Sequence, residues 1–525
     1  MIGVLFQTKD LLAGQLALAA LRRSVTSTQA VRTSIASLGT NKIDTVVVIN
    51  ATPRDCGNLR DWLAEGSRKL LLLGDMPESF ASELGCVPAQ WPEGSDGWSI
   101  SVPAPAYGLA ESAASIRYSA LAHRLDGREW RRPLMRFDFT DEWNNLGYGA
   151  IRADGSAWGL GSAWQVPVQN ELASLQINDV SHGSYAALFD RSTTSILWFN
   201  RAVGPIDSFE WRLVESFLSS YRHQELTCHP VLREIPWGYD AAITMRLDCD
   251  EDIESARALW NAYREMDVPF SLAVHTSNLE AEKNHGILRE LIDSGGSVLS
   301  HTKTHAPNWG GNYDAAMVEG AMSADEIKQV TGITVKYAVS PFHQSPDYAL
   351  AALADAGYQG CIGGIIRNDP EFNLARGGYL ANLPQGFVGH SQQCMLHGES
   401  MLSEGDSLRI FKEAFDVAYE TNTLFGYLDH PFSDRYQYGW QDEDSRIDAH
   451  RRFVEHIRTR ASQPLFMNEN DALDFLGMKS EAKVVGAAGG FSIDIPCSRN
   501  GRSDYDLAVE FKGRHMKAIH GDQFA

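Results

Sequence analysis

No stretch of the 525-residue chain approaches the roughly 18 apolar residues that a membrane-spanning helix needs, so no integral membrane segment is expected. The opening Met1-Ile2-Gly3-Val4-Leu5-Phe6 lacks a basic segment leading into an apolar stretch and a small-residue cleavage site, which points to a cytoplasmic protein. Cysteine is sparse and scattered: seven residues (56, 86, 228, 249, 361, 394 and 497), odd in number and without a Cys-x-x-Cys pair. That pattern excludes a disulfide scaffold and suits reduced thiols. Positive charge is also short, 46 Lys and Arg against 67 Asp and Glu for a formal charge of −21. A nucleic-acid partner or an anionic membrane surface, each of which needs clustered cations, is therefore not expected. No glycine-rich Gly-x-Gly-x-x-Gly follows the first predicted strand, and Phe6-Gln7-Thr8-Lys9-Asp10 offers no phosphate cradle, so dinucleotide binding has no support. Internal repeats and low-complexity tracts are absent.

What is present is enough sequence for two to four domains. Residues 1–126 alternate apolar strands (Ile2 to Phe6, Thr45 to Asn50, Lys69 to Leu73) with helical stretches, which predicts a small parallel α/β unit of Rossmann or flavodoxin type. Residues 127–240 form an aromatic-rich β region holding seven of the 13 tryptophans: Trp130, Trp143, Trp158, Trp164, Trp198, Trp211 and Trp237. Core packing is the ordinary fate of such rings and sugar stacking the alternative, and the region reads as an extension of the first domain or a separate one. Across 241–478 the α/β alternation returns with about seven predicted strands, which suggests a distorted or incomplete parallel (β/α)7-type barrel. Residues 479–525 read as a small β appendage.

The most informative segment is Ser300-His301-Thr302-Lys303-Thr304-His305, which follows a short apolar strand and lies about fifty residues after Leu247-Asp248-Cys249-Asp250. Imidazole nitrogen and carboxylate oxygen are the ligands of a water-activating zinc-type centre. Sixteen histidines will also produce some His-x-x-x-His pairs by chance. Placement at the carboxyl ends of predicted strands, where barrel enzymes build their sites, favours the metal reading. Asp248 and Asp250 also suit the N-cap of the helix predicted from Ile253, and His430 before Pro431 suits the end of a strand.

Three motifs together resemble the polysaccharide deacetylases that share the NodB homology domain, carbohydrate esterase family 4 and its relatives. They are Asp248-Cys249-Asp250, His301-Thr302-Lys303-Thr304-His305 and Leu428-Asp429-His430. The resemblance implies Asp248 as catalytic base, Asp250, His301 and His305 as ligands of one divalent metal, and His430 as general acid. Zinc is the expected ion, with cobalt, nickel or iron also suited to such a donor set. A further family motif, Arg-x-Pro-(Phe/Tyr), is represented by Val339-Ser340-Pro341-Phe342, in which the arginine that orients the base is missing. Arg246, on the same strand face as Asp248, or Arg367 or Arg376, is its expected replacement. Pro341, Phe342, Arg376 and Trp440 are candidate substrate-binding residues, with Tyr436 beside Trp440, and His275, His343, His390 and His397 are read as structural or pocket-lining.

The implied reaction is hydrolysis of an N-acetyl amide on an amino sugar that is polymeric, lipid-linked or nucleotide-linked, in surface-glycan or O-antigen-type biosynthesis. Two alternatives stand beside it: an Asp-x-Asp glycosyltransferase built on Asp248 and Asp250, and a catalytically silent carbohydrate-binding protein.

Overall fold

The computed structural model describes residues 1–39, 43–90, 114–133, 135–136, 149–150, 160–177, 179–202, 204–205, 207–363, 376–384, 386–391, 394–433, 435–487, 490–496 and 503–524. Trp143, Trp158, Arg367 and Cys497 lie outside these residues. No described helix is long and apolar enough to cross a membrane.

A nine-stranded sheet organises the first 200 residues. Ala30–Arg32, Ile2–Leu5, Thr45–Ile49, Arg68–Leu73 and Thr194–Phe199 run parallel, and Val180–Asp190, Glu171–Ile177, Ala114–Tyr118 and Trp130–Pro133 continue the sheet antiparallel. The aromatic-rich region thus shares one sheet with the preceding α/β unit, because Thr194–Phe199 pairs in register with the apolar Arg68–Leu73 (Leu197 opposite Leu71). Trp198 and Trp211 are buried core, and the Trp164 indole N–H donates to the Met76 carbonyl; Trp237 is the exposed ring among the described tryptophans of this region.

The second sheet has ten strands, in the order Gly378–Tyr379, Val388–Ser391, Gly360–Gly363, Tyr337–Val339, Ser297–Ser300, Ser271–Val274, Ala241–Cys249, Phe425–Asp429, Cys394–Met395, with Pro464–Met467 also pairing with Ala241–Cys249. All these ladders are parallel except that of Gly378–Tyr379. The parallel α/β character expected from the alternation is present, and no ladder among the described residues joins the two ends of the sheet.

Strand periodicity separates two cores. Ala241, Ile243, Met245, Leu247 and Cys249 face a core shared with helices such as Arg257–Glu265, His285–Asp293 and Glu443–Arg460. Ala242 faces the other core, which includes Leu299, Val339, Ile362, Val388 and the apolar side of the helix Glu469–Glu481. Thr244, Arg246 and Asp248 follow Ala242 on that second face, a polar ladder in an otherwise apolar interior.

The C-terminal strands pack against earlier parts of the chain. Val231–Leu232 pairs with Ala508–Phe511, and Lys483–Ala487, Gly490–Asp494 and Gln523–Phe524 form a further sheet docked where Gln29 Nε2 donates to the Val484 carbonyl at 2.9 Å.

Candidate active site

Parallel pairing brings the C-terminal ends of Ala241–Cys249, Ser271–Val274, Ser297–Ser300, Tyr337–Val339 and Phe425–Asp429 to one edge. Asp248 and Asp250, His275, His301, Pro341 and His430 therefore emerge together from segments far apart in sequence.

Asp248 does not cap a helix. Its carboxylate accepts a forked pair of bonds from Arg246, Nε to Oδ1 at 2.7 Å and Nη2 to Oδ2 at 3.2 Å, with both side chains buried. Arg246 thereby gives Asp248 the charge partner that Val339 does not offer. Burial alone would raise the Asp248 pKa, but the Arg246 guanidinium and the nearby His301 outweigh it and hold the carboxyl at about 2.

His301, His305 and Asp250 form a compact donor group whose ligand atoms all lie within 4.8 Å of one another. Asp250 Oδ1 is 3.2 Å from His301 Nε2 and 3.3 Å from His305 Nε2. His301 Nδ1 lies 3.0 Å from the Val339 carbonyl, so Nδ1–H donates there and Nε2 keeps its lone pair toward Asp250. Burial would lower the His301 pKa, yet Asp248 and Asp250 outweigh it and raise it, a sign that this position favours positive charge. His305 is pushed the other way, to about 4, by burial and by His301, which leaves it neutral.

The loop bearing the two histidines is irregular, with left-handed backbone at Thr302 (φ 68°) and His305 (φ 54°). Non-glycine residues there cost on the order of 1–3 kcal/mol each. Glu319 offsets this by accepting from the Lys303 N–H at 2.9 Å and the Thr304 N–H at 2.8 Å, while Thr302 Oγ1 accepts from the His305 N–H at 2.9 Å.

On the opposite side His430 Nε2 lies 3.5 Å from Asp250 Oδ2, and its Nδ1 is 2.9 Å from His397 Nε2. Tyr438 stacks on the His430 ring with centroids 4.1 Å apart. Asp429 beneath it accepts from the His430 N–H at 2.8 Å, Arg446 Nε at 2.8 Å and His450 Nε2 at 3.0 Å, and Arg446 Nη2 holds the His430 carbonyl at 2.6 Å. His397, Asp429 and His430 form a second group of donor atoms, but its acid is already neutralised by Arg446 and serves to fix the loop.

Among the remaining expected residues, Pro341 is buried at the rim and Phe342, half-exposed, lies tilted against His305 with centroids 4.5 Å apart. Two expectations are corrected. Arg376 is buried in an ion pair with Glu215 at 2.8 and 3.0 Å, between the two large sheets, where a charge needs a protein partner and meets no substrate. Trp440 is also buried: its indole belongs to the core under His450 and its N–H points to Asp429 at 3.5 Å, while Tyr438 holds the position beside His430. His275 Nδ1 is bonded to the Asp250 carbonyl at 2.8 Å, His343 Nε2 lies against Met395 Sδ at 3.1 Å, and His390 is buried. Glu319, Arg446, His450 and Tyr438 escaped sequence reading. Only Tyr438, an aromatic two residues from Tyr436 in the loop after His430, carried a local signal.

Residues 248–361 match the sequence model of the polysaccharide deacetylase family. No curated protein matches the chain. Among solved structures it is similar to a chitin deacetylase from Colletotrichum lindemuthianum (12% identity, 45% of this chain and 89% of that one, TM-score 0.33). It is also similar to a family 4 acetyl xylan esterase from Clostridium thermocellum in complex with a cobalt ion (12% identity, 44% and 89%, TM-score 0.30). The matched segment opens on Asp248, runs through both histidines and ends on the strand beyond Pro341 and Phe342, so that the chain carries a polysaccharide deacetylase domain, a class of carbohydrate hydrolase.

Proposed function

We propose that the chain is a metal-dependent deacetylase that hydrolyses the N-acetyl amide of an amino sugar in a saccharide or glycoconjugate. The observation that carries this reading is the meeting of Asp250, His301 and His305 beside an arginine-held Asp248 and a His430 turned toward them. Asp250 Oδ1 is buried and makes no hydrogen bond, although two imidazole nitrogens stand beside it. An orphan carboxylate oxygen between two Nε2 atoms fits a divalent cation, which Asp250, His301 and His305 would hold. When bound, such an ion supplies Lewis acidity toward the acyl carbonyl and lowers the pKa of water. Zinc is our choice of ion, since the donor set suits it.

The chain's own residues supply the rest. Asp248, kept ionised by Arg246, takes the proton from the attacking water. His430, held by His397 and by its backbone bonds to Asp429 and Arg446, gives a proton to the departing amine. Phe342, tilted against His305, and Tyr438, stacked on His430, flank the site and offer apolar faces to a sugar ring. The glycosyltransferase alternative gives His301 and His305 no role, although both stand beside Asp250. Six buried free thiols support a reducing, cytoplasmic setting.

The test is elemental analysis of the purified protein and of a His301→Ala/His305→Ala double variant, with acetate release from N-acetyl amino sugars measured on the same samples. About one divalent metal per chain, lost together with acetate release in the variant, is the expected result. Metal retained in the variant defeats the ligand assignment, and absence of acetate release from the metal-loaded parent defeats the reaction.

A further inference from the structure

Glu469 opens the helix Glu469–Glu481 and is fully buried behind the strand that carries Asp248. Thr244 and Arg246 are the hydrogen-bonding side chains that its carboxylate faces. Its Oε1 lies 3.7 Å from Arg246 Nη1, the guanidinium nitrogen pointed away from the Nε and Nη2 fork that holds Asp248. Its position is set by the backbone: the Glu469 N–H donates to Ser271 Oγ at 3.0 Å, and the next turn is capped by Asn468 Oδ1 accepting from Asp471 N at 2.9 Å.

We infer that Glu469 is a positioning residue for the base, acting through Arg246. A guanidinium between two buried carboxylates divides its attraction between them. With Glu469 on Nη1 and Asp248 on Nε and Nη2, Arg246 is held from both sides, which fixes the direction in which its fork meets Asp248. Without Glu469, that second anchor is lost. Burial pushes the Glu469 carboxyl up to about 7, against the pull of Arg246 and with Asp248 adding to the rise, as expected for an acid that shares one cation with a stronger competitor. Asp248 and Glu469 meet different nitrogens of Arg246, and nothing in the neighbourhood of Glu469 in the sequence marks it, since it is 221 residues from Asp248.

This rests on the proposed hydrolysis. The test compares parent, Glu469→Gln and Glu469→Asp by kcat and KM per metal-loaded molecule, and by the NMR resonance of the Arg246 Nε–H in metal-free protein. Glu469→Gln should lower kcat about tenfold with KM and metal content unchanged and should move the Arg246 signal. Glu469→Asp keeps the charge one methylene further away, should lose about threefold, and serves if the glutamine variant does not fold. A kcat within twofold of the parent in the folded variants overturns the role even if the Arg246 signal moves, and so does an unmoved signal. A parent without turnover defeats the hydrolysis itself and this inference with it, whereas turnover in the parent with unaltered variants defeats this inference alone.

Discussion

Two buried charge clusters of this molecule differ in a way that separates structure from chemistry. In the first sheet Arg132 is paired with Asp207 at 2.5 Å and with Glu210 at 3.1 Å, Arg201 lies 3.6 Å from Glu210, and the Tyr118 hydroxyl donates to Glu210 at 2.6 Å. Two arginines answer two acids, and none of the four side chains is more than 4% exposed. In the second sheet Asp248 and Glu469 face one arginine, Arg246, while Asp250, whose side chain is 21% exposed, faces His301, His305 and His430. Both clusters perturb their pKa values, so perturbation alone does not mark a site. The second differs in that its accessible acid is met by imidazoles rather than by an arginine.

The contrast can be broken most directly at the histidines. His301→Ala/His305→Ala should remove the metal and all turnover, read by elemental analysis and acetate release, while the first cluster and the fold remain. Arg132→Ala should act in the opposite sense. It strands Asp207 and Glu210 in the interior and should cost about 3–5 kcal/mol of unfolding free energy in a denaturant titration, yet leave metal content and kcat of the folded fraction unchanged. Asp248→Asn should retain the metal and lose about 100-fold in kcat, roughly 3 kcal/mol of barrier; loss of metal instead would reverse the roles of Asp248 and Asp250.

A pH titration sharpens the comparison further. Asp248 is held at about 2, below its usual 3.8, so its ionised form favours the folded state. That contribution is complete above pH 3.8 and is lost as pH falls toward 2, about 2 kcal/mol in the metal-free protein, and Asp248→Asn should flatten the stability profile across that window. The smallest effect is expected at the rim, where Phe342→Ala should raise KM about fivefold, roughly 1 kcal/mol, with kcat intact.

The donor residues were legible because each motif is local: Asp248 and Asp250, His301 and His305, and His430 sit within five residues of a strand end. Arg246 was legible for the same reason, by the two-residue strand period. Glu319, Arg446, His450 and Glu469 were not, since each reaches its partner from a helix whose own sequence gives only amphipathic periodicity. The assignments that failed share one cause. Arg376 and Trp440 are side-chain types common in sugar sites, and type alone does not reveal that Glu215, 161 residues earlier, or Asp429 and His450 already claim them. The strand order of the second sheet and the pairing of Trp130–Pro133, Glu171–Ile177, Val180–Asp190 and Thr194–Phe199 within the first sheet depend on ladders between distant strands, which periodicity does not specify.

The Arg376–Glu215 pair has a consequence for modularity. Lys479, fully buried at the end of the helix that carries Glu469, likewise donates to the Arg23 carbonyl at 2.8 Å. A fragment cut at residue 241 would keep every residue of the chemistry and strand two buried cations against the solvent face left by the missing sheet. The stretch matched by the family model is thus shorter than the set of residues that keeps these buried cations paired.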